Sequence, residues 1–510
     1  MKRIGIDVGG TNTDAVLVEN ERVIDAIKTA TTEDVTSGVT AALDGLLKRT
    51  AGAPGLDAVM IGTTHFTNAV VQRRDLKPVA AVRIGLPAGA SLEPFIDWPE
   101  DLCEAVRGAW FMIEGGHEYD GRPIVPFDKA GMRDAAAKIR DQGLTSVAVT
   151  AVFSPLTAEC ELEAAAILRE TIPGVSVTMS HTLGRIGLLE RENVTGLNAC
   201  LIDLGRRTTG AFREALRRAG IAAPFYLTQN DGTVMLAEVA ADNPVYSFAS
   251  GPTNSMRGAA FLSKMGDAMV VDVGGTTSDI GCLVHGFPRE ANNVVEIGGV
   301  RTLFRMPDLL SLGLGGGTMV TRDPLTVGPR SVGYRLLQEG LVFGGATLTT
   351  TDVAVAAGLI DIGDRGRVKH LDKAFVGACI ARAHAIIAEG VDRMKTDAAP
   401  VPLIAVGGGA FLVPERIDGV SEVVQVEHRA VANAVGAAIA QVSGEVDQIF
   451  SGLTRDAALA EAQKLAEQKA ARAGADPRTL KVVEVEDLPL AYLPGNSLRV
   501  RVRVVGDIAA

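Results

Sequence analysis

One short pattern occurs twice in this chain. Residues 3–18 read RIGIDVGGTNTDAVLV and residues 269–283 read MVVDVGGTTSDIGCL. In each copy an apolar run ends on an aspartate, Asp7 or Asp272. Two glycines follow (Gly9 and Gly10; Gly274 and Gly275), then short polar residues (Thr11, Asn12, Thr13; Thr276, Thr277, Ser278). A second aspartate, Asp14 or Asp279, opens the next apolar run. Both aspartates recur at a spacing of 265 residues (272 − 7 and 279 − 14). A single DVGGT is an ordinary hairpin turn. Two copies, each between apolar strands, predict a duplicated domain with one loop from each half facing a common cleft. The spacing is far beyond the roughly 20–50-residue periods of repeat arrays, so the chain is expected to be two-lobed.

The residue types suggest the chemistry. A Gly-Gly turn lets backbone N–H groups approach an anion, and neighbouring hydroxyls add donors. A carboxylate at the end of a buried strand is costly unless it is paired, solvated or bound to a cation. Asp, Gly-Gly and Thr at this spacing therefore read as a phosphate-and-metal loop, with Asp7 and Asp272 as candidate magnesium ligands acting through water.

Composition narrows the class. The 510 residues suggest roughly two to four domains. A hydrophobic content of 47% with only 4% aromatics suits a large α/β core of Val, Ile, Leu and Ala. A formal charge of −11 without a basic run argues against nucleic acid. No apolar leader and no uninterrupted apolar stretch of about 18 residues is read, so neither secretion nor a membrane span is expected. The five cysteines have no CxxC spacing and suggest a cytoplasmic protein with reduced thiols.

Along the chain, Ala58–Gly62 reads as a buried strand and Thr67–Arg74 as a helix, with Thr63 and Thr64 between them. Those threonines are either an anion site at a helix N-terminus or a simple cap. Residues 77–127 read as irregular. Within them His117, Glu118 and Asp120 are a weak separate metal candidate, without the spacing of a ligand set. Helices at 129–142 and 155–170 alternate with strands at 146–152 and 175–179, so the sheet is at least partly parallel. Leu183–Asn198 starts a helical region carrying Glu190. TQNDG (228–232) reads as a hairpin turn, and Ser250, Gly251 and Pro252 as a helix start. GLGGGTMV (313–320) contains Gly315 and Gly316, which approach a ligand or form a lid. Gly407, Gly408 and Gly409 follow a strand at 403–406, and Val431–Val442 reads as an Ala-rich helix. Expected domains are 1–185, 186–450 and a small α+β segment at 451–510. In that segment Arg499, Arg501 and Arg503 share one strand face and Val500, Val502 and Val504 the other.

The paired loops resemble those of the actin, Hsp70 and sugar-kinase superfamily, which hold ATP between two lobes. IGTTHFTNAVVQRR (61–74), GGHEYDGRPIVPFD (115–128), FSPLTAECE (153–161), ERENVTGLNA (190–199), SFASGPTNSMRGAAFL (247–262) and LGLGGGTMV (312–320) narrow the resemblance to the hydantoinase A / 5-oxoprolinase family. It runs to about residue 445. The resemblance implies a two-lobed actin-like ATPase fold of duplicated ribonuclease H-like domains, and ATP-dependent opening of a cyclic amide such as a hydantoin, 5-oxoproline or another lactam. It implies ATP with magnesium or another divalent cation, adenosine near Gly407–Gly409 and phosphates near both DVGGT loops. Asp7, Asp14, Asp272, Asp279, Thr64 and Glu190 are the candidate catalytic residues. A hydantoinase B-type second subunit and a homo-oligomer are the expected partners. The alternatives are an ATP-using subunit of a ketone carboxylase-like complex, a small-molecule kinase, or a regulatory ATPase. A phosphorylated product would select the kinase, and ATP turnover without any cyclic amide the regulator.

Overall fold

The computed structural model describes residues 1–9, 12–30, 35–50, 52–184, 186–291, 295–304, 306–490 and 497–509. Gly10 and Thr11, two of the expected phosphate-loop residues, lie outside the described residues. Strand β1 (Lys2–Val8) turns back into β2 (Asn12–Glu19), which pairs with β3 (Arg22–Ala30), all antiparallel. Helix α1 (Val35–Arg49) buries Val39, Leu43 and Leu46, spaced to share one helical face, in the core of this lobe. Strand β4 (Ala58–Thr63) then joins β1 in parallel and leads into α2 (His65–Gln72).

The chain next leaves this sheet. β5 (Val79–Leu86), α3 (Glu100–Val106), β6 (Arg107–Glu114), α4 (Lys129–Asp141), β7 (Ser146–Ala151), α5 (Glu159–Thr171) and β8 (Ser176–Met179) form a second layered unit. Its four-stranded sheet is parallel, in the order β6-β5-β7-β8. The expectation of an irregular stretch at 77–127 is therefore corrected: it holds two strands and a helix. VAAVRIGL, just before Pro87, is a strand buried along nearly its whole length, while Pro87, Pro94 and Pro99 fall in the connection after it. Long α6 (Leu188–Arg218) returns the chain to β9 (Phe225–Thr228), parallel to β4, and a hairpin gives β10 (Thr233–Leu236). After α7 (Ala237–Asp242), α8 (Ser250–Ser263) crosses to the other lobe.

That lobe repeats the first. β11 (Ala268–Val273), β12 (Ser278–Val284) and β13 (Phe287–Pro288) are antiparallel neighbours. Two small ribbons follow, β14 (Val295–Ile297) with β15 (Val300–Thr302), and β17 (Thr318–Arg322) with β18 (Leu325–Ser331). Between the ribbons β16 (Leu309–Leu312) pairs with β12. Helices α9 (Leu336–Glu339), α10 (Thr350–Ala357) and α11 (Lys373–Met394) lead to β19 (Val401–Val406), parallel to β11, and to β20 (Val420–Gln425). The strand order β3-β2-β1-β4-β9 of the first lobe and β13-β12-β11-β19-β20 of the second are the same, one antiparallel meander followed by parallel strands. The duplicated ribonuclease H-like unit read from the repeated motif is thus present. α11 is the one described helix long and apolar enough to cross a membrane. It packs Val376, Cys379, Ala383, Ile387 and Val391 into the second-lobe core.

Helix α12 (Ala432–Ala438) crosses back to β21 (Gln441–Phe450) in the first sheet. The helix expected over Val431–Val442 is therefore shorter, because a strand begins at Gln441. Helix α13 (Arg455–Arg472), β22 (Lys481–Pro489) and β23 (Leu498–Gly506) complete the chain. The two strands extend the first sheet to nine. Ala458, Ala462, Ala466 and Ala470 make a smooth face on α13 that covers Val500, Val502 and Val504. On the other face of β23, Arg501 and Arg503 pair with Glu290 of the second lobe and with Glu484.

Candidate functional site

The two DVGGT hairpins have the same construction. Asp7 stands opposite Asp14 in the first, and Asp272 opposite Asp279 in the second. The Gly9 N–H donates to the Asn12 carbonyl at 3.0 Å, and the Gly274 N–H to the Thr277 carbonyl at 2.8 Å. The hairpins converge. Burial, then the Asp14 carboxylate, push Asp7 up to about 6, and Asp272 also adds to the rise. Burial raises Asp272 as well, with Asp14 adding repulsion. Burial pushes Asp279 to about 6, again with a contribution from Asp272. Asp14 is raised by burial despite Lys28, whose ammonium lies 2.7 Å from its carboxylate.

Side chains that sequence reasoning missed hold these acids. Asn254 of α8 donates to Asp7 Oδ1 at 3.3 Å, and Asn433 of α12 to Asp7 Oδ2 at 2.9 Å. Ser255 of α8 lies near enough to the Asp272 carboxylate to lower its pKa against the larger effect of burial. Asn254 was visible inside the SFASGPTNS motif, and Asn433 as an amide in an otherwise alanine-rich stretch. Gly62 lies beside Asp7 in the parallel register, and a Cβ there would sit 2.5 Å from Asp7 Oδ1. Gly407, at φ +88°, plays the same part in the second lobe: its Cβ would sit 2.3 Å from Asp272 Oδ1.

Other expected residues are placed as follows. Thr276 and Thr277 are exposed at the second turn. Thr13 and Ser278 are fully buried, and the Ser278 hydroxyl donates to the Leu314 carbonyl at 2.6 Å. Their hydroxyls therefore do not face a ligand. Gly408 has open space around its Cβ position, and Gly409 packs on Val273. The N–H groups of Gly315 and Gly316 are already bonded, to Thr318 Oγ1 at 2.7 Å and the Gly274 carbonyl at 3.0 Å. Their expected approach to a phosphate is corrected to a brace behind the second turn.

Thr64 makes no capping bond. Its hydroxyl is 3.5 Å from the Val8 carbonyl, and Thr63 accepts the His65 N–H instead. Ala249, not Ser250, is the N-cap of α8, and the Ser250 hydroxyl reaches the Thr63 carbonyl at 3.4 Å. Glu190 pairs with Arg301 at 3.5 Å. Its neighbours are structural: Arg191 bonds the Ile186 and Ala151 carbonyls, and Glu192 pairs with Arg83. His117 is buried and Asp120 is held by Arg122 at 2.7 Å, so they do not form a metal site.

The residues fit a divalent cation between the hairpins. Among the described residues no group of three or more His, Cys, Asp or Glu could hold a metal alone. Asp7 and Asp272 would supply two ligands, leaving the rest to water and phosphate oxygens, as magnesium prefers. Asp7 is 3% exposed, and burial first, then the neighbouring Asp14 carboxylate, disfavours its charged form, which a bound cation would favour.

Residues 3–172 match the hydantoinase/oxoprolinase N-terminal region, and residues 191–364 match the hydantoinase/oxoprolinase domain. The chain is 26% identical over 396 residues to the caprolactamase alpha subunit of Pseudomonas jessenii, covering 70% of this chain and 54% of that protein. It is 28% identical over 398 residues to the acetophenone carboxylase gamma subunit of Aromatoleum aromaticum, covering 70% and 53%. It thus spans about half the length of these curated relatives. The solved ATP-dependent caprolactamase from Pseudomonas jessenii superposes with a TM-score of 0.77 at 19% identity, covering 99% of this chain and 88% of that one. Nucleotide-free acetone carboxylase gives 0.71 at 18% identity, covering 100% and 88%. The two family matches, in the order and over the motifs that build the paired hairpins, make this chain a member of the hydantoinase/oxoprolinase family.

Proposed function

We propose that this chain is the ATP-using part of an enzyme that opens a cyclic amide. The observation that carries the reading is the convergence of two glycine hairpins, each with an aspartate, Asp7 or Asp272, at the end of its first strand, where desolvation raises its pKa. Asp7 and Asp272 would hold the divalent cation, with magnesium the expected ion. The exposed Thr276 and Thr277 of the second turn would supply donors to phosphate. Gly408 offers an open surface for adenosine. Bound ATP would supply the phosphoryl group that turns a poor amide oxygen into a leaving group. The protein's own task is positioning and charge neutralisation, which is most of what phosphoryl transfer requires. The likeness to a caprolactamase subunit supports a lactam or related ring as substrate.

A second reading, an ATP-using subunit of a ketone carboxylase-like complex, is favoured by the likeness to the acetophenone carboxylase subunit. Both relatives are named as subunits, so a second chain is part of the proposal, as are a homo-oligomer and a cytoplasmic setting with free thiols. The test is ATP turnover screened against hydantoins, 5-oxoproline, larger lactams and ketones with bicarbonate, with and without a co-purified partner. Lactam-dependent phosphate release supports the first reading and ketone-dependent release the second. A stable phosphorylated product or substrate-independent turnover rejects both.

A further inference from the structure

The chain crosses between its two sheets twice, by α8 from the first to the second and by α12 back again. The crossing helices touch backbone to backbone. A Cβ on Gly258 would lie 1.8 Å from the Ala432 carbonyl oxygen, and one on Gly436 1.8 Å from the Asn254 carbonyl oxygen. No side chain fits at either point, so the helices have one register. From that contact Asn254 donates to Asp7 Oδ1 in the first lobe. Asn433 takes the other oxygen of Asp7 from α12.

Asn254 is fully buried, and its amide nitrogen spends both hydrogens, on Asp7 Oδ1 and on Thr228 Oγ1 at 3.1 Å. Its own Oδ1 is left without a partner. A buried, half-satisfied amide is a poor choice for stability alone. Its orientation is fixed, because the flipped amide would set its oxygen against the carboxylate. We propose that Asn254 and Asn433 are positioning residues that fix both oxygens of the Asp7 carboxylate from the two crossing helices, so that it meets a divalent cation in one orientation. This rests on the proposed nucleotide reading.

The test uses the full chain with ATP fixed and magnesium titrated, reading the melting temperature. Asn254→Ala and Asn433→Ala should each raise the half-saturating magnesium concentration roughly 10- to 100-fold, the expected loss for a bond to a charged group. Ser263→Ala, on the same helix as Asn254 with its hydroxyl on the Ala259 carbonyl, should change nothing. Asn254→Ser, too short to reach Asp7, serves if the alanine variant does not fold. If the wild type responds to magnesium-ATP and the variants match it, the clamp is overturned and the nucleotide reading stands. If the wild type itself shows no response, both fall.

Discussion

Replacing Asp7 by Asn should make the nucleotide-free protein more stable at neutral pH and useless as an ATPase. The carboxylate is 3% exposed and titrates near 6 instead of 3.8. At 1.36 kcal/mol per unit, keeping it ionised in the folded state costs about 3 kcal/mol. Because the folded pKa is raised, the contribution is fully present below pH 3.8 and is lost as pH rises through about 6. Asparagine removes that loss. It offers Asn254 and Asn433 only one oxygen, which costs roughly 1 kcal/mol at any pH. The variant should therefore be slightly less stable than wild type near pH 4 and more stable by about 2 kcal/mol near pH 8. With an unfolding entropy of about 2.1 cal/mol/K per residue over 510 residues, the swing is about 3 °C in melting temperature if the lobes unfold together. Calorimetry of both proteins at several pH values between 4 and 8, without nucleotide, measures it. Magnesium-ATP should then raise the wild-type melting temperature and leave the variant unmoved. A gap between the two proteins that stays constant with pH would refute the claim that Asp7 is an uncompensated buried charge.

Lys28→Met should act in opposite directions on two readouts. Removing the cation beside Asp14 lowers the nucleotide-free stability by about 1–2 kcal/mol, and the more negative cleft binds magnesium at a lower concentration; an unchanged magnesium requirement would sink this. Gly62→Ala places a Cβ 2.5 Å from Asp7 Oδ1 and Asn254 Nδ2. It should cost about 1–3 kcal/mol and abolish the magnesium-ATP shift, and a retained shift in calorimetry counts against the packing described. Arg83→Met leaves buried Glu192 without its cation and should cost about 3–5 kcal/mol. Magnesium-ATP should still raise the melting temperature of that variant, since the pair lies outside the cleft.

The lobes and their hairpins were legible because the signal is local and repeated. Asp7, Gly9 and Asp14 recur as Asp272, Gly274 and Asp279, and a motif of that kind specifies strand, turn and strand without help from distant residues. The alternating faces of β23 were legible for the same reason. Three things were not. The sheet at 79–114 was hidden by flanking prolines, which mark connections and were taken to mark the whole stretch. The roles of Thr13 and Ser278 depend on which way a hydroxyl turns at the end of a hairpin, and Leu314, 36 residues further on, decides it for Ser278. Asn254 and Asn433 meet Asp7 from 247 and 426 residues away, and their importance exists only where two helices cross.

The duplication also explains why the site needs a cation from outside. A two-fold repeat of a strand ending in aspartate brings like charges together by construction: Asp7 and Asp14 from one copy, Asp272 and Asp279 from the other. Divergence of the copies has answered only part of that. The first lobe acquired Lys28 opposite Asp14, and this ammonium also lowers Asp272. The second lobe has a serine, Ser311, against Asp279, which solvates the carboxylate without neutralising it. Asp7 and Asp14 are buried and Asp272 and Asp279 half-buried; desolvation is the main cause that raises all four, and with one half-exposed lysine among them they leave a local excess of negative charge when fully ionised. A fold selected for stability alone would have replaced Asp7, which has no cation beside it, by asparagine. Its retention beside amides and glycines shaped to admit a carboxylate makes sense if the missing charge arrives with the ligand, so that metal and phosphate binding also stabilises the closed pair of lobes.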